Sequence, residues 1–335
     1  MKYNTIGKSG LITSNLTLGT MIFGENSERG TPKSEAIRLI DQFLDSGGNH
    51  IDTADVYANG ESEKIVGEAL RKKRPDVIIS TKIRFRTESN PNAEGLSRWN
   101  LIQGVEKSLM RLETDYIDIL YLHCFDHVTP LEETIATLIN LIESGKVRYV
   151  GISNFKAWQL MKSQGMLNQL GNFRFIAAQY QYSLVKRDLE YEFFDLFADQ
   201  GLGLLPWGPL GGGFLTGKYS KQGPLEGRIA TSSPQTEESW NRRNKEKNWL
   251  IMDEITSLAT GYGATASQIA IAWILSKKVV NSTIIGARTC DQLSDNLGAN
   301  SIRLSLEDIS KLDQPSEPEE LYPYRMIADY GNRTF

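Results

Sequence analysis

This chain of 335 residues is poor in cysteine and histidine, with two and three respectively, and it has no long apolar run. Cys124 and Cys290 stand far apart with no Cys-x-x-Cys pattern, which argues against a disulfide framework or a zinc cluster and for two reduced thiols. No stretch approaches the ~20 apolar residues of a membrane helix, and the amino terminus MKYNTIGKSGLITSNLTLG lacks the apolar core of a signal peptide. The expectation is a soluble, cytoplasmic protein with no membrane partner. A formal net charge of −4 supplies no general basic field for nucleic acid. Two local basic runs, RKKR at 71–74 and RRNKEK at 242–247, read as solvated helix ends or faces. No coiled-coil heptads or linkers appear, so a monomer is the default and a homo-oligomer stays open.

What the chain does have is 40% hydrophobic residues arranged in a repeating order of elements. β-Branched apolar segments alternate with amphipathic stretches, the pattern of βαβ units in a parallel sheet. LTLG at 16–19, HIDT, VIISTK, IDILYLH, VRYVGIS, FIAAQ, LGLLPW and STIIGA read as eight strands. SEAIRLIDQFLDSG, ESEKIVGEALRKK, SRWNLIQGVEKSLMRL and PLEETIATLINLIESG read as intervening helices. Eight strand candidates in eight βα units predict one (β/α)8 barrel domain spanning residues 1–335. KYNTIGKSGLITSN reads as a β-hairpin plugging the amino-terminal end of the barrel. Residues 211–263, too long for an ordinary connection, predict a functional lid followed by a helix. The Pro-broken tail from Pro315 either folds over a pocket or frays.

Four reactive side chains fall at or just beyond strand ends: Asp52 and Tyr57 in NHIDTADVY, Lys82 in VIISTK, and His123 in DILYLH. In a barrel, those ends share one pole. Singly, each has an ordinary reading as a turn acid, a half-buried ring, an ion-pair partner or an interior imidazole. Together they form a proton-transfer set. An ammonium beside a phenol favours the phenolate, Asp52 would hold Lys82 charged, and His123 would donate to a substrate oxygen. A phenol and an imidazole aimed at one oxygen suit a carbonyl becoming an alkoxide. A lyase or isomerase would need a metal-ligand cluster or a further acid–base pair, and His50, His123 and His127 make no such cluster. His50 begins its strand and is expected at the opposite pole.

HIDTADVY, STK, LYLH, GISNF, AAQYQYS, LPWGPLGGGFLTGKY and IIGARTCDQLSDNLGA, in this order over residues 18–299, resemble the aldo-keto reductases. The resemblance is strongest to the branch holding bacterial reductases of general specificity and the potassium channel β-subunits. It implies an NADPH-dependent reductase of small-molecule carbonyls without a metal. By resemblance, Tyr57 is the proton donor, Lys82 and Asp52 tune it, and His123 orients the carbonyl. Ser153, Asn154 and Gln179 would bind the nicotinamide carboxamide and Trp207 would stack on its ring. Gly208, Pro209, Leu210 and Lys218 would hold the pyrophosphate; Gly286, Arg288, Gln292 and Asn296 would hold the adenosine end. The GGG at 211–213 lacks the spacing and acidic residue of a dinucleotide fingerprint.

Arg288 is the natural cation for a 2′-phosphate. The chain departs from many family members by having Gly286 and Ala287 where they carry a Lys-Ser pair, and Gln292 where they carry a second Arg. Phe23, Trp99, Phe125, Tyr322 and Tyr324 fall in or near loops expected to wall the substrate pocket, which suits aromatic or medium-chain aldehydes and ketones. Arg98 reads as a surface residue or as a cation for a substrate carboxylate. The rival to an enzyme is a coenzyme-binding, redox-sensing regulatory protein like the channel β-subunits, which by resemblance lack the histidine found here at 123.

Overall fold

The computed structural model describes residues 1–25, 30–171, 173–223 and 227–331. A hairpin comes first, β1 (Tyr3–Thr5) running antiparallel to β2 (Ile12–Ser14). Among the described residues eight further strands form one parallel sheet: β3 (Leu16–Gly19), β4 (His50–Asp52), β5 (Ile78–Ile83), β6 (Ile117–Leu122), β7 (Val147–Ser153), β8 (Phe175–Gln179), β9 (Gly203–Leu204) and β10 (Thr283–Ile285). β10 pairs with β3 at one edge. At the other edge Asn281 N–H donates to the Leu204 carbonyl at 3.0 Å and Ile284 N–H to the Pro206 carbonyl at 2.9 Å, which closes the sheet into a (β/α)8 barrel.

Helices α1 (Lys33–Asp45), α2 (Glu61–Leu70), α3 (Arg98–Leu112), α4 (Leu131–Glu143), α5 (Ala157–Gly171) and α6 (Phe193–Gln200) each follow one strand from β3 to β8. After β9 come α7 (Arg228–Thr231), α8 (Trp240–Arg243), α9 (Glu246–Tyr262) and α10 (Ala266–Leu275); after β10 come α11 (Cys290–Gly298), α12 (Leu306–Ser316) and α13 (Tyr324–Tyr330). The amphipathic pattern explains the outer layer. In α1 the buried residues Ala36, Leu39, Ile40 and Phe43 recur at three and four. α10 is apolar almost all round because it packs between α9 and α11; a Thr265–Gln268 capping box starts it.

Strand alternation sorts the interior into two regions. Outward residues such as Ile51, Ile79, Leu120 and Leu122 pack against helices, whereas Ile78, Ile119, Tyr121, Ile176, Leu205 and Ile284 fill the lumen. Ile6, from the hairpin, joins the lumen cluster, so the amino-terminal segment does plug the barrel from below.

Four sequence expectations change in detail. LGLLPW supplies only Gly203–Leu204 as regular strand, because Pro206 has no N–H for the ladder; Leu205 and Trp207 still donate to Ala178 and Tyr180. The basic runs are not wholly solvated. Arg74 is buried, ion-paired with Asp118 at 2.7 Å and stacked on Tyr116; Arg243 is buried against the Gly211 carbonyl. The segment after β9 folds as a turn at Gly211–Thr216, then α7, α8 and α9, with residues 224–226 outside the described set. The tail ends in α13, where Tyr324 stacks on Tyr191 and donates to Glu192, so it rests beside α6; residues 332–335 lie outside the described set.

Candidate active site

Period-two alternation in β5 turns Ser80 and Lys82 into the lumen and Thr81 outward. Lys82 is 1% exposed, and its Nζ donates to Asp52 Oδ2 at 2.5 Å, to the Thr53 carbonyl at 2.7 Å and to the Tyr57 hydroxyl at 3.2 Å. Tyr57 opens a tight turn in which Ala58, Asn59 and Gly60 all take left-handed backbone, with φ of 47°, 55° and 87°. A left-handed alanine costs roughly 1–2 kcal/mol, so its surroundings must enforce the turn. Outside the barrel, Glu63 of α2 accepts from Arg111 Nε at 2.6 Å and from Thr81 Oγ1 at 2.5 Å, and Arg111 lies against Gly60. The loop bearing Tyr57 is thereby clamped to the strand bearing Lys82.

His123 follows β6, its ring edge-on to Tyr57 with centroids 6.0 Å apart. Burial, reinforced by the Lys82 charge, holds the His123 pKa well below its ordinary value, so the imidazole is neutral. Burial also raises the Tyr57 pKa; Lys82 and Arg228 pull it down and Asp52 pushes it up, and burial prevails. Burial opposes the charge on Lys82, yet Asp52 and Tyr57 more than offset it and its pKa is raised. A protonated phenol and a neutral imidazole thus stand side by side next to a buried ion pair. Such groups can donate protons and hydrogen bonds to a single oxygen.

Ser153, Asn154 and Gln179 gather beside this set. Ser153 Oγ donates to the Gln179 carbonyl at 2.7 Å, Asn154 Nδ2 donates to the His123 carbonyl at 2.9 Å, and Gln179 Nε2 donates to Asp52 Oδ1 at 2.9 Å. Trp207 is half-buried at the top of the lumen. Beyond it, Gly208, Gly211, Gly212 and Gly213 all have positive φ, and the turn is covered by the buried Glu238. Lys218 lies over the ring of Tyr219. At β10, space is open around Gly286, Asn296 Nδ2 donates to the Gly286 carbonyl, and Gln292 Oε1 accepts from Arg288 N–H. The Arg288 side chain is exposed and has no ion pair among the described residues.

A family model described as the aldo/keto reductase family matches residues 15–317. The chain belongs to that family. A rice protein named as a probable voltage-gated potassium channel subunit beta is 35% identical over 341 residues, covering 97% of this chain and 100% of the relative. An uncharacterized oxidoreductase of Bacillus subtilis, YrpG, is 34% identical, covering 93% and 95% of the two chains. A versiconal hemiacetal acetate reductase of Aspergillus parasiticus is 33% identical, covering 96% and 99%.

The aromatic residues read from the sequence do not form one wall in this aldo/keto reductase. Phe23 is wholly buried: its N–H bonds to the Thr20 carbonyl in a turn, and its ring packs in the core, so it offers a pocket no surface. Tyr324 contacts Tyr191 and Glu192, Tyr322 is 84% exposed, and Trp99 is exposed on the first turn of α3. Phe125 is half-buried against Phe155, Trp158 and His127. Arg98 Nη1 donates to Asn140 on the outer face of α4. Two residues at the site were not anticipated. Phe85 stands edge-on to His123 at 4.7 Å, and Arg228 of α7, paired with Glu238 at 2.7 Å, has a charge felt at Tyr57. Phe85 follows Lys82 by three residues and was legible as a strand-end aromatic; Arg228 was not, since only folding of the long segment brings it back.

Proposed function

We propose that this aldo/keto reductase reduces aldehydes and ketones to alcohols with NADPH. The observation that carries the reading is the buried Asp52–Lys82–Tyr57 chain beside neutral His123 at the strand ends. When bound, the coenzyme would supply the hydride that the carbonyl carbon takes up. Tyr57 donates its proton to the carbonyl oxygen, and Lys82, held charged by Asp52, stabilises the phenolate left behind. His123 orients the same oxygen by a hydrogen bond.

The residues present suit the coenzyme. The exposed guanidinium of Arg288 favours the 2′-phosphate, with the open backbone at Gly286, Gln292 and Asn296 around the adenosine. The left-handed glycine turn after Gly208, with Pro209, Leu210 and Lys218, would hold the pyrophosphate; Trp207 would stack on the nicotinamide, and Ser153, Asn154 and Gln179 would bind its carboxamide. Relatives named as an oxidoreductase and a hemiacetal acetate reductase support the reaction class. A cytoplasmic setting belongs to the same reading, in keeping with two free thiols.

The similarity to a probable channel subunit beta favours a second reading, a coenzyme-binding redox sensor. NADPH oxidation with a panel of aromatic and aliphatic aldehydes separates the two. Turnover in the wild type that falls at least ~100-fold in Tyr57→Phe, with NADPH binding kept, is expected for the reductase. Tight NADPH binding with no reduction across the panel would favour the sensor.

A further inference from the structure

His50 opens β4 at the plugged end of the barrel and has no part in the chemistry above. Both of its ring nitrogens are nevertheless engaged. Nδ1 lies 3.1 Å from Thr13 Oγ1 of the hairpin, and Nε2 lies 3.0 Å from Ser80 Oγ of β5. Ser80 Oγ donates in turn to Asp52 Oδ1 at 2.6 Å. Thr13, His50 and Ser80 are all 0% exposed, so bulk solvent does not compete for these bonds.

The direction of each bond follows from what each group can give. An ionised Asp52 only accepts, so the single Ser80 hydroxyl proton points to it. The Ser80 oxygen must then accept from His50, which places the imidazole proton on Nε2. Nδ1 is left as an acceptor for the Thr13 hydroxyl. That hydroxyl has an alternative in the Ser14 carbonyl at 3.2 Å, but choosing it would leave a buried ring nitrogen unpaired, at a cost of ~1–3 kcal/mol. Burial lowers the His50 pKa to about 4 despite Asp52, which agrees with a neutral ring. The result is a one-way chain of donors from Thr13 through His50 and Ser80 to Asp52, in which each bond polarises the next.

We propose that His50 and Ser80 are positioning residues, a buried relay that draws charge away from Asp52 and so sets how strongly Lys82 acts on Tyr57. This inference rests on the carbonyl-reductase reading of the same site. Asp52 shares its charge among Lys82 on Oδ2 and Ser80 and Gln179 on Oδ1. Without the Ser80 hydroxyl, more of that charge falls on Lys82, the ammonium acts less on the phenol, and Tyr57 keeps its proton to higher pH. The charged groups acting on Tyr57 are Lys82 of β5, Asp52 of β4 and Arg228 of α7, with the neutral His123 of β6 beside it; Tyr121 of β6 also faces Asp52.

The test compares wild type, Ser80→Ala, Ser80→Thr and His50→Gln as NADPH complexes. One readout is the pH profile of kcat/KM for aldehyde reduction; the other is an ultraviolet difference titration of the Tyr57 phenolate against Tyr57→Phe. Ser80→Ala is expected to move the alkaline limb and the titration upward by about one pH unit, with Ser80→Thr restoring both and NADPH affinity unchanged. His50→Gln should move them the same way, and if it does not fold, Ser80→Ala decides alone. An unmoved titration in Ser80→Ala, with turnover merely lower at every pH, would overturn the relay. A wild type that reduces no carbonyl refutes the functional reading instead, and the phenolate titration still decides the relay.

Discussion

Gln179 Nε2 lies 2.9 Å from Asp52 Oδ1, joining β8 to β4 across the barrel lumen. One side chain thereby couples the proposed carboxamide contact to the acid that holds Lys82. Gln179→Met is expected to raise the NADPH Kd about tenfold, as loss of a hydrogen bond worth ~1.4 kcal/mol would, and to lower kcat as well. Calorimetry and steady-state kinetics on the same preparation check this. A change in Kd alone would mean that Asp52 does not need the amide.

The Asp52–Lys82 pair is almost wholly buried, so breaking it from one side strands a charge. Lys82→Met should cost ~3–5 kcal/mol of stability, and Asp52→Asn added to it should recover much of that loss. Neither variant should turn over. Denaturant unfolding provides the comparison, and equal instability of the single and double variants would contradict it.

Acid should weaken the fold through its buried imidazoles. His50 has a folded pKa of about 4, and burial also depresses that of His123. Below pH ~6.5 the unfolded chain takes up protons that the folded imidazoles refuse, so their contribution to stability is full above that value and falls toward pH 4. His50 alone accounts for about 3 kcal/mol across that window. Asp55 works in the opposite sense, because burial beside Glu63 raises its pKa and its contribution is lost as pH rises. His50 is therefore isolated by difference: His50→Gln should show a shallower loss of stability between pH 6.5 and 4 than wild type.

Two helix glycines should respond oppositely to alanine. At Gly67 of α2 a Cβ would stand 2.6 Å from the Leu112 carbonyl carbon and 2.7 Å from the Arg111 oxygen, both backbone atoms of α3. The ~1 kcal/mol gain in helix propensity is then outweighed by overpacking of ~1–3 kcal/mol. Gly165 of α5 has nothing within 4 Å, so Gly165→Ala should stabilise by ~0.5–1 kcal/mol. Thermal midpoints of the two variants should move in opposite directions.

Much of this protein is written locally. Strand and helix periods depend on neighbours in the chain, so LTLG, VRYVGIS and FIAAQ are strands over the very residues their patterns mark. The barrel rule then carries Asp52, Tyr57, Lys82 and His123 to one pole without any knowledge of side-chain contacts. Where a local signal had two outcomes, it did not suffice. Phe23 in a strand-end loop could face a pocket or the core, and a turn closed by Thr20 sends it inward. Arg74 and Arg243 sit in basic runs that look solvated, yet each finds buried acceptors on another element.

The amino-acid order by itself determined the elements, their parallel succession and the pole at which the reactive groups emerge, because these follow from periodicity and chain direction. Tertiary structure alone decided which protons go where. Burial, which no residue sees in its own neighbours, outweighs Lys82 at Tyr57 and keeps both His50 and His123 neutral. The bonds that link Thr13, His50, Ser80, Gln179 and Asp52 join the hairpin, β4, β5 and β8, and they exist only once the barrel has closed around them.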